Sequence, residues 1–154
     1  MSENTLAKQV DHFGIVVADI DAAIVFYRDG LKCDVTEPVV REGQGIKKAY
    51  VIFQNMRVEL IAPTTNDSPI KHVLEDYNAS DFLRRNPKGG LHHVCYSVPN
   101  LEAARNDLIA QGHRLLGTAG PVTGAAGQPV SFLDPGGTNG VLIELKQASP
   151  ELNQ

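Results

Sequence analysis

Residues 12–23 (HFGIVVADIDAA) and residues 93–104 (HVCYSVPNLEAA) have the same layout and align without gaps. Each stretch begins with a histidine, continues as a mostly apolar or alternating run, and passes through a short polar turn into the start of a helix. A second pair, residues 56–63 (MRVELIAP) and residues 140–147 (GVLIELKQ), ends the two halves in the same way. Chance similarity between two strand–helix segments is the alternative, but a matching start and end together favour an internal duplication.

The predicted elements repeat in the same order in both halves. The predicted strands are rich in β-branched residues and bounded by turn residues; they span residues 10–17, 32–40, 46–53 and 56–61, then 91–98, 114–117, 129–133 and 140–145. Helices over residues 21–29 and 101–111 are each ended by a glycine, Gln54-Asn55 supplies a hairpin turn, and one crossover helix is predicted within residues 68–83. The pattern therefore predicts an α+β fold of two tandem βαβββ modules joined by a helical connector.

The composition excludes several classes of protein. The chain has 154 residues, enough for one compact domain, and its 14 basic and 18 acidic side chains give a net charge of −4. This mildly acidic balance, without a basic run, argues against a nucleic-acid partner. The apolar stretches are shorter than the roughly 20 residues that cross a bilayer, and residues 1–9 (MSENTLAKQ) do not resemble a secretory leader. Two cysteines, Cys33 and Cys95, suit a reducing compartment, so we expect a soluble, cytoplasmic protein without a membrane partner.

Two histidines and two glutamates occupy equivalent places in the repeat. His12 and His93 begin the first strand of each half, whereas Glu59 and Glu144 lie between apolar neighbours in the last strand. A histidine in a strand is commonly a surface residue or a hydrogen-bonded core residue, but a buried carboxylate needs either water or a cation. If the modules face each other, the four side chains meet. Two imidazole nitrogens and two carboxylates suit a divalent Co, Mn, Ni, Zn or Fe ion, with two adjacent positions left for substrate oxygens.

Four stretches of the sequence carry a resemblance to a known family. VDHFGIVVADIDAAIVFYRD, VELIAPTTNDSPI, GGLHHVCYSV and GVLIEL resemble the vicinal oxygen chelate superfamily, which includes glyoxalase I, extradiol dioxygenases and bleomycin-resistance proteins. Within it, GLHH and DSPI are most similar to the methylmalonyl-CoA epimerase family. The resemblance implies that the modules form a cupped, mixed β-sheet. It also implies the following division of the chain: a tail at 1–9, one domain at 10–147 (module one 10–63, connector 64–90, module two 91–147) and a tail at 148–154.

The resemblance also implies a chemistry and a ligand set. The metal ligands of the family fall on His12, Glu59, His93 and Glu144, and the activity implied is that of a metal-dependent isomerase acting on an acyl-CoA, in a homodimer. The α-proton of a metal-chelated acyl thioester is removed, an enediolate forms, and a second group returns a proton from the other side. We expect Glu144 to remove the proton and Glu59 to act on the opposite face.

Five positions depart from the epimerase pattern. Where some epimerases have a glutamate base after a Gln-Gly pair, this chain has Lys48, which could exchange a proton only with a strongly lowered pKa or could bind an anionic group of the substrate. Basic or imidazole residues that the family tends to have near the acyl-CoA are replaced by Ala126, Gln128, Asp134 and Gly136. The resemblance therefore leaves the substrate less certain than the class of reaction.

Three other functions share parts of this pattern. A glyoxalase I-type lactoylglutathione lyase uses the same ligand set, although the DSPI connector argues against it. An extradiol dioxygenase needs two histidines and one carboxylate, so that Glu59 is one carboxylate too many. A non-enzymatic resistance protein of the bleomycin-binding kind usually lacks the four ligands.

The basic residues Arg84, Arg85 and Lys88 either supply the missing positive charge or form a solvated loop.

Overall fold

A single mixed β-sheet dominates the computed structural model, which describes residues 5–117, 122–123 and 128–149. Within these residues the sheet has nine strands: β1 (Gln9–Val16), β2 (Asp34–Val35), β3 (Val39–Arg41), β4 (Ile46–Ile52), β5 (Arg57–Pro63), β6 (Gly90–Val98), β7 (Val122–Thr123), β8 (Pro129–Leu133) and β9 (Ile143–Gln147). Their spatial order is β2-β4-β5-β1-β6-β9-β8-β7, and β3 also pairs with β4. The predicted α+β class and the mixed sheet are therefore confirmed.

The two halves of the sheet mirror the duplication. β1 and β6 pair antiparallel at the centre, β5 runs parallel to β1, and β9 runs parallel to β6. Antiparallel β4 and β8 then extend the two sides. The first and last strands of each half thus lie side by side, as the repeat predicts.

The central strand pair contains two bulges. Val10 pairs with Tyr96 and His12 with Cys95, which leaves Asp11 as an extra residue of β1. Farther along, Gly14 pairs with His93 and Ile15 with Leu91, which leaves His92 as an extra residue of β6. Asp11 and His92 are themselves equivalent in the repeat, since each precedes the histidine that opens its half.

Two helices that are equivalent in the repeat cover one face of the sheet. α1 (Ile20–Val25) continues into a π-helical turn (Phe26–Gly30), and α4 (Leu101–Ala110) follows β6. Their N-caps, Asp19 and Asn100, are again equivalent in the repeat and accept hydrogen bonds from backbone N–H groups of the first turn. The helices pack against alternate residues of the strands, such as Leu60 and Leu145, so that the residues between them face the other side.

The connector differs from its prediction. In place of one helix it forms α2 (Lys71–Leu74), a 3₁₀ turn (Glu75–Tyr77) and α3 (Ala79–Arg85), because Glu75 adopts a φ of 53° and Asn78 caps α3. Arg114 and the backbone N–H of Gly117, both in the second half, donate hydrogen bonds to the Glu75 carboxylate.

Three predicted strands also differ in the structure. The strand over 32–40 is interrupted at Pro38, which lacks an N–H for the sheet and leaves β2 and β3 as short pieces. The predicted strand over 114–117 is a single bridge between Leu115 and Leu133, and the last strand begins at Ile143. β7 was not predicted. Among the described helices, none is long and apolar enough to cross a membrane.

Candidate metal centre

The four side chains predicted as metal ligands meet at the centre of the sheet. They extend from β1, β5, β6 and β9, and each residue is at most 7% exposed. His12 Nε2 lies 3.0 Å from His93 Nε2 and 3.2 Å from Glu144 Oε1. His93 Nε2 lies 3.5 Å from Glu144 Oε1 and 3.7 Å from Glu59 Oε1. Among these four side chains, the ligand atoms of His12, His93 and Glu144 lie within 4.8 Å of one another, and Glu59 Oε1 is 3.8 Å from His12 Nε2.

Small residues opposite the histidines make room for the imidazole rings. Gly14 pairs with His93, and Cys95 pairs with His12. A Cβ atom at position 14 would lie 2.0 Å from Cε1 of His93, so that only glycine permits this ring position. Cys95 is fully buried. The repeat therefore places a small side chain beside each ring.

Each imidazole also contacts the residue that precedes it. His12 Nδ1 lies 2.7 Å from Asp11 Oδ2, and His93 Nδ1 lies 2.8 Å from His92 Nδ1. Asp11 in turn accepts a hydrogen bond from Arg57, whereas His92 Nε2 lies 2.5 Å from the carbonyl oxygen of Tyr77.

The charges at the centre fit a cation. Burial by itself raises the pKa of Glu144, but the neighbouring His12 and His93 lower it below its usual range, so the carboxylate is ionised. Within the described part of the chain, its buried Oε1 atom accepts no hydrogen bond. Burial lowers the pKa of His12, yet the carboxylates of Asp11 and Glu144 outweigh this and raise it to about 9. Burial lowers the pKa of His92 to about 3, so this ring is neutral. An ionised, incompletely satisfied carboxylate facing two imidazole nitrogens is a donor set that suits a divalent ion.

Lys48 and Tyr50 extend the centre along β4. Lys48 Nζ donates a hydrogen bond to Tyr50 Oη over 3.0 Å, and Tyr50 Oη donates to Glu59 Oε2 over 2.9 Å. Burial is the main cause that lowers the pKa of Lys48, and it also raises the pKa of Tyr50. The guanidinium of Arg57 lies 4.3 Å from the centre of the Tyr50 ring.

Tyr50 was not predicted as a site residue, although the strand register that places it beside Glu59 can be derived from the sequence. The predicted turn at Gln54-Asn55 sets the register of β4 and β5, and that register pairs Tyr50 with Glu59.

The four side chains line a cavity of about 440 Å³. Its walls are largely apolar, with side chains from β4, β5, the connector and β8: Ile46, Ile61, Val73, Leu74, Val130 and Phe132. Its size falls in the range of small-molecule sites. His72 of the connector and Gln44 also line it; His72 belongs to no ligand pattern in the sequence, from which a structural role was predicted.

Comparison with known proteins places this geometry in a family. The description of the family whose pattern matches residues 11–132 is Glyoxalase/Bleomycin resistance protein/Dioxygenase superfamily. The chain belongs to this superfamily.

Similar proteins narrow the comparison within the superfamily. The chain is 38% identical to the ethylmalonyl-CoA/methylmalonyl-CoA epimerase of Cereibacter sphaeroides, over 90% of this chain and 97% of that protein. It is 39% identical to the mitochondrial methylmalonyl-CoA epimerase of Mus musculus, over 91% of this chain and 73% of that protein. The crystal structure of methylmalonyl-CoA epimerase from Mycobacterium tuberculosis superposes with a TM-score of 0.83 at 30% identity, over 99% and 95% of the two chains.

A further solved structure is that of a methylmalonyl-CoA epimerase in complex with methylmalonyl-CoA and NH4+. It superposes with a TM-score of 0.79 at 28% identity, over 95% of this chain and 97% of that chain. The predicted resemblance to the epimerase branch of the glyoxalase superfamily is therefore confirmed.

The residues that depart from the epimerase pattern have different surroundings in this glyoxalase-superfamily chain. Gln128 lines the cavity, so one of the substituted positions does face the space for a ligand. Asp134 instead accepts hydrogen bonds from Arg114 and from the backbone N–H of Gly136, and thus caps a turn. Ala126 lies outside the described residues.

The basic residues near the end of the connector fit the alternative of a solvated loop. Arg84 donates hydrogen bonds to Asp81 and to the carbonyl oxygen of Asn66, and both Arg85 and Lys88 are exposed.

Proposed function

We propose that this protein is a metal-dependent epimerase of methylmalonyl-CoA or of a closely related acyl-CoA. The observation that carries the proposal is the meeting of two imidazoles and two carboxylates, from four strands, at an apolar cavity. The identity of 38% to an ethylmalonyl-CoA/methylmalonyl-CoA epimerase supports the substrate class.

His12, Glu59, His93 and Glu144 are the proposed metal ligands. A bound divalent ion (Co, Mn, Ni, Zn or Fe) would supply Lewis-acid stabilisation of the negative charge that develops on the thioester carbonyl oxygen. The buried Oε1 atom of Glu144 and the two facing Nε2 atoms favour this set over a purely hydrogen-bonded cluster.

Glu144 is the proposed base. Its pKa lies below the usual range, so it is ionised at neutral pH, and Oε1 has no hydrogen bond from the described residues that would compete with an incoming proton. The ionised form is the one that can accept a proton from the carbon next to a carbonyl group, although its lowered pKa makes Glu144 a weaker base than a free glutamate.

Glu59 is the proposed partner on the other side of the substrate. Glu59 and Glu144 lie on β5 and β9, which flank the central pair of strands on opposite sides. Glu59 Oε2 accepts the hydrogen bond from Tyr50, whose hydroxyl accepts one from Lys48. Lys48 is therefore connected to Glu59 through the Tyr50 hydroxyl, a path by which a proton can be resupplied. We assign Lys48 to proton return rather than to direct contact with an anionic group of the substrate.

The cavity supports an acyl group of modest size. Much of its wall is aliphatic or aromatic, and its polar lining includes the four proposed ligands, Tyr50 and Arg57. An apolar pocket with a few convergent polar groups is typical of small-molecule sites.

Three further proposals concern the whole protein: a single domain over residues 10–147, a homodimer and a cytoplasmic location. The free thiols of Cys33 and Cys95 support the cytoplasmic location.

Exchange of the α-proton tests the proposal directly. The protein is loaded with Co²⁺, and (R)- or (S)-methylmalonyl-CoA is incubated with it in D₂O while NMR follows both deuterium uptake and interconversion of the epimers. We expect both, and we expect Glu144→Gln to slow both by about 10²-fold or more while it retains the ion. If the loaded wild-type protein exchanges neither epimer but isomerises the hemithioacetal of methylglyoxal and glutathione, the epimerase proposal is wrong and the lyase alternative is correct.

A further inference from the structure

Strand bulges place two consecutive side chains on the same side of the central strands. In a regular strand, neighbouring side chains point to opposite faces, so Asp11 could not reach the ring of His12 and His92 could not reach that of His93. Asp11 and His92 are the extra residues of the two bulges, and each lies within hydrogen-bond distance of the ring that follows it. The duplication has thus placed the same device beside both proposed ligands.

The contact on the first histidine holds a proton on Nδ1 of its ring. The Asp11 carboxylate is paired with two cationic side chains, so it is the acceptor in its contact with His12. An ionised carboxylate can only accept, so Nδ1 of His12 carries the proton that is shared over 2.7 Å. Asp11 is itself held by Arg57 over 2.7 Å and by Lys146 of β9 over 3.3 Å.

The contact on the second histidine places a proton on the same nitrogen by a different route. The carbonyl oxygen of Tyr77 can only accept, so Nε2 of His92 carries a proton. The His92 ring is buried and packs edge-on against Phe82, surroundings that favour a ring with a single proton, so its Nδ1 accepts from Nδ1 of His93 over 2.8 Å. Nε2 of His93 is left with its lone pair toward the centre.

We propose that Asp11 and His92 are a pair of positioning residues, equivalent in the repeat, that hold the two site imidazoles with their Nε2 lone pairs directed at the bound ion. This inference rests on the proposed metal centre but not on the proposed substrate. The two supports are chemically unequal: an ionised carboxylate contacts His12, whereas a neutral ring contacts His93 and continues to Tyr77. The connector, which forms one wall of the cavity, is therefore hydrogen-bonded to the metal centre through His92.

Two removal variants and two matched conservative variants test the proposal. Asp11→Ala and His92→Phe remove the hydrogen bonds, whereas Asp11→Asn and His92→Asn keep an oxygen acceptor at a similar distance from the ring. Co²⁺ is titrated into each variant and into a control, His113→Phe, which replaces a histidine outside the cavity lining. Supporting contacts of this kind are worth roughly 10- to 100-fold in metal affinity. We expect a loss of that size for the removal variants, recovery of most of it in the conservative variants, and no change in the control.

Nitrogen-15 shifts of the imidazole rings give a readout that does not need the ion. In the metal-free wild-type protein we expect Nδ1 of His93 to carry the proton, and in His92→Phe we expect the Nε2-protonated form of His93 to increase. Thermal unfolding identifies variants that lose the fold, and the asparagine variants then decide the outcome. Co²⁺ affinity and ring shifts unchanged in both removal variants would overturn the inference. A wild-type protein that binds no Co²⁺ but has the expected tautomer would instead disprove the metal centre.

Discussion

Replacing Gly14 with alanine should remove His93 from the metal centre. The new Cβ atom would lie 2.0 Å from Cε1, 2.3 Å from Nδ1 and 2.7 Å from Nε2 of that ring, whereas ordinary contacts begin at 3.4 Å. The ring must therefore move by about 1.4 Å, which is far more than the roughly 0.2 Å of tolerance in metal–ligand distances. The movement also breaks the 2.8 Å contact between the rings of His93 and His92.

The size of the effect follows from these distances. Forcing a methyl group into a packed strand pair costs about 1–3 kcal/mol of folding stability. The loss of Co²⁺ affinity should exceed the roughly 10- to 100-fold that a lost supporting contact costs, because a ligand itself is displaced.

Co²⁺ titration followed by visible absorption, together with thermal unfolding, measures both effects. Gly30→Ala is the matched control, since a Cβ atom there would lie at an ordinary 3.6 Å from Phe26, and it should bind Co²⁺ as the wild type does. If Gly14→Ala binds Co²⁺ with wild-type affinity, the ring of His93 is not confined as the structure indicates and the assignment of His93 as a ligand is undermined.

The remaining predictions concern the two carboxylates, the β4 hydroxyl and the connector. Glu144→Gln should lower kcat by about 10²-fold or more with the ion retained, whereas Glu59→Gln should lower it much less. Elemental analysis and steady-state rates of both variants measure this, and the two roles are reversed if Glu59→Gln is the inactive variant. Tyr50→Phe should lower kcat by about tenfold with little change in KM, because a hydrogen bond to a charged group is worth about 1.5 kcal/mol; an unchanged kcat would exclude the path through this hydroxyl. The hydrogen bond from Asn78 keeps the pKa of Asp81 below its usual value, so its stabilisation should be present at neutral pH and disappear as the pH falls below about 4. Urea unfolding should accordingly find Asp81→Asn less stable than wild type at pH 7, with a difference that becomes smaller at pH 3; an equal difference at both values would contradict this.

The meeting of the four proposed ligands was predictable because it depends on relations that the sequence displays. The repeat aligns His12 with His93 and Glu59 with Glu144, and strand alternation separates each glutamate from its apolar neighbours. Both relations hold in the folded structure, because equivalent strands of the two halves occupy equivalent places in the sheet.

Other features depend on contacts between distant residues and could not be predicted. The break in the connector requires Glu75 at a positive φ, which is held by Arg114 and Gly117, 39 and 42 residues away. The positions of Asp11 and His92 likewise require bulges, which arise only when β1 and β6 pair. The local sequence pattern indicates neither the break in the connector nor the two bulges.

The position of β9 after the other strands in chain order has a consequence for synthesis on the ribosome. Glu144 is made 132 residues after His12, and β6 pairs with β9 along the edge opposite β1. Until β9 has emerged, that edge of β6 lacks its partner strand, and Asp11 lacks its contact with Lys146. A nascent chain can therefore complete its first half early, but the four proposed ligands come together only after β9 has been made.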